Sequence, residues 1–156
     1  MGTRSGDLDP TVLTYLARTQ NRDVGALQHL VDAESGLLGV SGISSDVRDL
    51  LQQPVSPPAA EAIDLFSYIV RKHIGALAAV LDGLDTLVFT GGIGEHASSI
   101  RDQICAGLAH LGVQLDPARN LANDDVISTA HSRAVVRVIA TDEALMIARH
   151  VQAVLA

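Results

Sequence analysis

The chain has 156 residues, 47% hydrophobic but only 3% aromatic, with a formal net charge of −7. That length is enough to bury a core, which Leu, Val, Ile and Ala must fill. The acidic balance argues against a general nucleic-acid or anionic-membrane binder, since both need a cationic surface. The lone Cys105 excludes an internal disulfide or a cysteine metal cluster, and no apolar run is long enough to span a bilayer. Met1-Gly2-Thr3-Arg4 opens no signal peptide, so a cytoplasmic location is expected.

In chain order, a dense polar-glycine segment, Gly2 to Asp7, comes first with no strand before it, as if the domain began elsewhere. Asp9-Pro10 predicts a capped helix to about Thr19, and a second helix covers Asp23 to Glu34. Ser35 to Gly42 reads as a glycine-rich loop carrying exposed leucines. Ser44 is placed to cap a short helix through Leu51, and Gln52 to Pro58 reads as a proline-rich break. A long helix then runs from Pro57 or Pro58 to Asp82. Ala62, Ile63, Phe66, Ile69, Val70, Leu77, Val80 and Leu81 fall on one side of it, and Gly83 ends it. A strand at 87–90 leads into glycines and a helix from about Ala97 to Leu111. Short strands are expected at 113–115, 126–128 and 135–140, with a turn at Asp116-Pro117 and a last helix capped by Asp142. The pattern is α/β, heavy in helix.

Thr90-Gly91-Gly92-Ile93-Gly94-Glu95-His96 carries the clearest chemistry. Glycines let backbone approach a ligand closely, and the opening of a helix presents unpaired N–H groups to an anion such as a nucleotide phosphate. The only lysine, Lys72, is followed by histidine, so no Walker loop is present. Gly92-Ile93-Gly94-Glu95-His96-Ala97 also fits G-x-G-x-x-A, with Asp116 roughly 20 residues on, which keeps a dinucleotide-binding reading open. Arg4 is either an oxygen-binding guanidinium among glycines or a surface arginine paired with Asp7. Asp46 and Arg48 fit a capped, solvated helix on local grounds alone, and Asp142 fits an N-cap. Glu143 would face the helix's positive end or a Mg²⁺ bound to phosphates. The six histidines show no metal-ligand spacing, and only His96 adjoins the glycines.

Five segments together resemble the acetate kinase family: Met1 to Pro10, Glu34 to Gly39, Ser45-Asp46-Val47-Arg48, Phe89 to Glu95, and Thr141-Asp142-Glu143. The resemblance covers essentially the whole chain. It implies part of an actin, sugar-kinase and heat-shock-protein-like (ribonuclease H-like) domain. That domain is the C-terminal half of a two-domain kinase that moves phosphate between ATP and acetate with Mg²⁺, forming acetyl phosphate and ADP. Carried over by position, Arg4 would stabilise the phosphoryl group in transfer. Asp46, Val47 and Arg48 would contact adenosine, and Gly91, Gly92, Ile93, Gly94 and Glu95 would form the adenine-side loop. Glu143 would help hold Mg²⁺.

Two substitutions depart from the family pattern: His96 and Asp142 stand where asparagine is common. Members are roughly two and a half times this length, with domains closing around the substrates. The resemblance therefore implies that residues 1–156 correspond to the C-terminal region, with the helix from about 143 packing on a first domain. It also implies that the acceptor pocket and catalytic histidine have no counterpart here, so negligible turnover is expected from this chain alone. Dimerisation through this half is implied too, with Leu37, Leu38 and Val40 as candidate contacts. A non-catalytic nucleotide-binding or dimerisation module is the alternative.

Overall fold

The computed structural model describes residues 2–53 and 55–155. Met1 of the first motif, Pro54 of the expected break and Ala156 lie outside the described residues. The chain divides into two units, Met1–Val70 and Arg71–Ala156.

In the first unit, helix α1 (Pro10–Gln20) starts as its sequence dictates: the Asp9 carboxylate accepts the Thr11 amide at 2.8 Å and Pro10 takes the first turn. Asn21, at φ 49, ends it. Helix α2 (Val24–Ala33) is capped in the same way by Asp23, which accepts from the Ala26 amide.

The segment expected to be a glycine-rich loop is a helix, α3 (Gly36–Ser41). Leu37 and Ser41, one turn apart, are both buried, so this segment packs one face instead of looping over the surface. Gly39 is there for space: a Cβ would stand 2.7 Å from the Glu34 carbonyl oxygen. Gly42, at φ 63, ends the helix and gives its N–H to Leu38.

Helix α4 (Val47–Leu51) is capped by Asp46 rather than Ser44. Ser44 instead accepts the Asp46 amide at 3.0 Å and donates to Asp49 at 2.7 Å. Helix α5 (Pro57–Val80) begins where expected and buries Ala59, Ala62, Ile63 and Ser67 at helical spacing. The predicted apolar side stops short, because Leu77, Val80 and Leu81 are exposed. Asp82 at φ 59 and Gly83 at φ 142 close the helix through the bond from Gly83 N–H to Ala78.

The second unit is built on two parallel strands, β1 (Thr86–Phe89) and β2 (Val135–Val138), paired Thr86 to Val135 through Phe89 to Val138. Parallel neighbours need a long crossover. Here it carries α6 (Gly91–His96), α7 (Ser98–Cys105), a 3₁₀ turn at Ala109–Leu111 and α8 (Pro117–Ala122). The single helix expected over 97–111 is thus broken after Cys105. A Cβ at Gly107 would clash with Arg71 Cδ, so the Arg71 side chain would have to move to admit one.

The strands expected at 113–115 and 126–128 are only isolated antiparallel bridges, Leu115 to Ser128 and Val126 to Arg137. Serine hydroxyls take amides that a longer ladder would have used: Ser128 accepts from Val136 at 3.1 Å and Ser132 from Gln114 at 2.9 Å. Phe89, Ile100, Ile104, Leu108, Val113, Ile127, Val136 and Val138 form the core of this unit. Helix α9 (Glu143–Leu155) follows β2, with Asp142 accepting the Leu145 amide at 2.8 Å as expected. None of its residues is buried.

Candidate nucleotide site

The glycines after β1 have separate reasons to be glycine. Gly91 has φ 70, a conformation that a Cβ makes costly. Gly94 packs on the strand, where a Cβ would lie 3.2 Å from the Phe89 carbonyl carbon. Gly92 has neither constraint: its φ is ordinary and nothing lies within 4 Å of a Cβ built there. It borders a cleft of about 400 Å³ lined also by Glu95, His96, Thr141, Asp142 and Glu143. The turn itself is helical, opening α6, with Thr90 extended before it.

Glu95 holds this cleft together. Its Oε1 accepts the Gly91 amide at 2.8 Å and both the amide and the hydroxyl of Thr141 at 3.0 Å. One carboxylate oxygen therefore ties the turn leaving β1 to the turn leaving β2. The Thr141 amide, chiefly, holds the Glu95 carboxyl below its ordinary value of 4.5; the Thr141 hydroxyl and Gly91 amide add to this against partial desolvation.

Beneath the turn lies Arg101, which is fully buried. Sequence reasoning passed over it, although a signal was there. Arg101 shares a helix face with Ile104 and Cys105, so its charge stands at a core position. Its neighbour Cys105 is an inert core thiol, which burial pushes up to about 12.

Glu143 is exposed at the start of α9, in the same cleft as Glu95. Among the described residues no group of three His, Cys, Asp or Glu could hold a metal. Mg²⁺ does not require such a cage, being commonly held by one or two carboxylates with phosphate oxygens and water. Asp142 already spends a carboxylate oxygen on its cap and Glu95 spends one on Thr141 and Gly91, so Glu143 fits the role of single carboxylate ligand.

The remaining candidates lie in the first unit. Arg4 is exposed, while the backbone on either side of it is pinned. Thr3 accepts from the Ser35 amide at 2.8 Å, and Ser5 donates to Val31 at 3.0 Å. Asp46 and Arg48 form an ion pair in which Arg48 remains largely open to solvent. The Arg48 side chain and amide hold the Asp46 carboxyl down at about 2. The Val47 side chain between them is in the core, leaving only its backbone for a ligand. Leu37 is buried as well, which removes it from the expected dimer contacts; Val40 is exposed.

A profile of the acetokinase family matches residues 1–149. The chain belongs to that family. It is 52% identical over 153 residues to an acetate kinase of Rhodopseudomonas palustris, a match covering 97% of this chain and 38% of the relative. The crystal structure of Porphyromonas gingivalis acetate kinase superposes with a TM-score of 0.91 at 38% identity, over 100% of this chain and 40% of that one. A propionate kinase structure from Francisella tularensis gives 0.89, also at 38% identity, over 96% and 39%. The chain thus spans about 38% of the length of the curated acetate kinase.

Membership in the acetokinase family, with a helix-rich α/β fold shared with acetate and propionate kinases, agrees with the sequence resemblance. The dinucleotide reading falls. The Asp116 carboxylate it required for ribose is the N-cap of α8, accepting from Ala118 at 3.0 Å and Arg119 at 3.1 Å. No helix among the described residues is long and apolar enough to cross a membrane.

Proposed function

We propose that this chain supplies the ATP side of an ATP- and Mg²⁺-dependent phosphoryl transfer to acetate, giving acetyl phosphate and ADP. The observation that carries the reading is Gly92, a glycine with no internal reason to be one, on the rim of the Glu95 cleft. In this reading Gly91 to Glu95 receive the adenine side of ATP. Asp46, Arg48 and the Val47 backbone meet the adenosine. Arg4, fixed through its pinned backbone, neutralises charge on the phosphoryl group in flight. Glu143 holds Mg²⁺ together with phosphate oxygens, and the ion when bound supplies further charge neutralisation there.

Propionate is the competing acceptor, since both acetate and propionate kinases are among the relatives. A homodimer and a cytoplasmic location, where ATP is available, complete the proposal. The exposed apolar residues of α9, among them Ile147, Val151 and Leu155, are the surface we assign to the remainder of a kinase of the relatives' length. The chain's 38% span favours one second reading, a nucleotide-binding or dimerisation module without turnover of its own.

Calorimetric titration of the chain with ATP, ADP and NAD in Mg²⁺ tests the site. ATP and ADP should bind and NAD should not. Gly92→Val should weaken ATP by roughly tenfold or more, because its side chain enters the space the ligand needs, about 1.4 kcal/mol. Gly92→Ala should leave urea stability unchanged or raise it by up to about 1 kcal/mol. Absence of ATP binding, or full affinity in Gly92→Val, would sink the assignment. Acetyl phosphate formation by the chain alone would overturn the expected lack of turnover, and a strictly monomeric species in light scattering would remove the dimer.

A further inference from the structure

Arg101 uses all five of its N–H donors. Nε donates to Asn120 Oδ1 at 2.7 Å, and one terminal nitrogen donates to the Gly94 and Glu95 carbonyls at 2.8 and 3.1 Å. The other donates to the Asn120 carbonyl and to Asn123 Oδ1, both at 2.6 Å. None of these acceptors is a carboxylate. Three are backbone carbonyls near the C-terminal ends of α6 and α8, where the helix dipole is negative; the Asn120 carbonyl also accepts the Asn123 amide at 3.3 Å.

The need for this arrangement arises at Ala97. Its ψ of 79 breaks the helix, so the amides of Ser98 and Ser99 do not continue the α6 ladder to Gly94 and Glu95. Arg101, one turn into α7, takes over those two carbonyls. A buried cation is costly and is tolerated when fully hydrogen-bonded, but apolar packing would hold two helices together at least as well. What apolar packing cannot do is set the direction of two carbonyls. The Glu95 backbone is gripped by Arg101 and the Glu95 carboxylate grips Gly91 and Thr141, so the contacts run unbroken from the core to both rims of the cleft.

We propose that Arg101 is the positioning residue of the cleft: it orients the Gly94–Glu95 backbone so that the Glu95 carboxylate closes on the Gly91 and Thr141 amides. The consequence for ATP rests on the function proposed above; the consequence for the two amides does not.

Lysine keeps the charge but offers three donors without the planar fork, so Arg101→Lys cannot serve five acceptors. Asn123→Gly is the gentler variant: it removes only the Oδ1 contact and suits the left-handed φ of 56. Native-state amide exchange followed by NMR should show Gly91 and Thr141 exchanging roughly tenfold faster or more in Arg101→Lys. The Asn123→Gly change should be smaller and at the same amides. The Ile127 amide, bonded to Val136 at 2.9 Å, should keep its rate. Ile127→Ala serves as the control, since it weakens the same core without touching these contacts and should leave the Gly91 and Thr141 rates alone.

Unchanged Gly91 and Thr141 rates in folded variants, or acceleration shared equally by Ile127, would overturn the proposal. In ATP titrations Arg101→Lys should lose roughly tenfold in affinity while the Ile127→Ala control does not. Accelerated exchange with unaltered ATP affinity would refute the link to the nucleotide. If the unaltered chain binds no ATP, the functional reading fails while amide exchange still decides the role of Arg101.

Discussion

The Asp46 carboxylate is held at about 2, against an ordinary 3.8, first by the Arg48 side chain and then by the Arg48 amide. The carboxylate thus has two tasks, capping α4 and orienting an arginine whose side chain is otherwise open to solvent. Arg48→Ala removes the larger effect and keeps the amide bond. The Asp46 pKa should therefore rise part of the way towards 3.8, as read by carboxyl carbon shifts in an NMR titration. A value that stays at about 2 would show that the guanidinium is not the cause. In the sequence Asp46 and Arg48 were legible on local grounds only as part of a short solvated helix whose cap was expected at Ser44. Their direct contact depends on the extended conformation of Asp46 before the helix, which spacing alone does not reveal.

Short helices mark the level at which sequence patterns and tertiary packing part company. Helix α1 declares itself through the Asp9-Pro10 cap and starts where that signal places it, and α2 falls within the expected span from Asp23 to Glu34. Helix α3 does not, because its glycines resemble a flexible loop until the neighbouring Glu34 carbonyl shows that one of them is a packing residue. Asp116 is the converse case. It can be drawn into a dinucleotide fingerprint, yet its carboxylate accepts two amides at the start of α8. Asp116→Ala should cost about 1 kcal/mol in urea denaturation, and Asp116→Asn much less, because asparagine caps nearly as well. Equal losses in the two variants would point to charge rather than capping.

Across the whole molecule, acid sensitivity follows from the carboxylates that the fold depresses. Asp9 and Asp46 in the first unit and Glu95 in the second all lie below their ordinary values. Each binds a proton less readily folded than unfolded. Their stabilisation is complete above the ordinary values of 3.8 and 4.5, and is lost as pH falls through the folded ones, down to about 2 for Asp46. Thermal unfolding followed by circular dichroism should therefore move to lower temperature from about pH 5 to about pH 2. Glu95→Gln should flatten part of that decline, since an amide oxygen can still accept but does not titrate. An unaltered pH profile in Glu95→Gln would show that Glu95 contributes nothing to it.

The sequence by itself determined what local chemistry decides: the caps at Asp9 and Asp142, the start of α5, the glycine stop at Gly83, and the segments that place the chain among acetokinases. These are properties of residues within a few positions of one another. Tertiary structure alone decided that Glu95 would bridge to Thr141, that Arg101 would sit buried against two helix ends, and that strands 113–115 and 126–128 would shrink to bridges. Glu95 and Thr141 are 46 positions apart and Arg101 and Asn120 are 19 apart, while the bridges turn on which hydroxyl reaches an amide first. The glycine turn was visible from the start; that Gly92 alone among its glycines has neither a positive φ nor a packed neighbour required the fold around it.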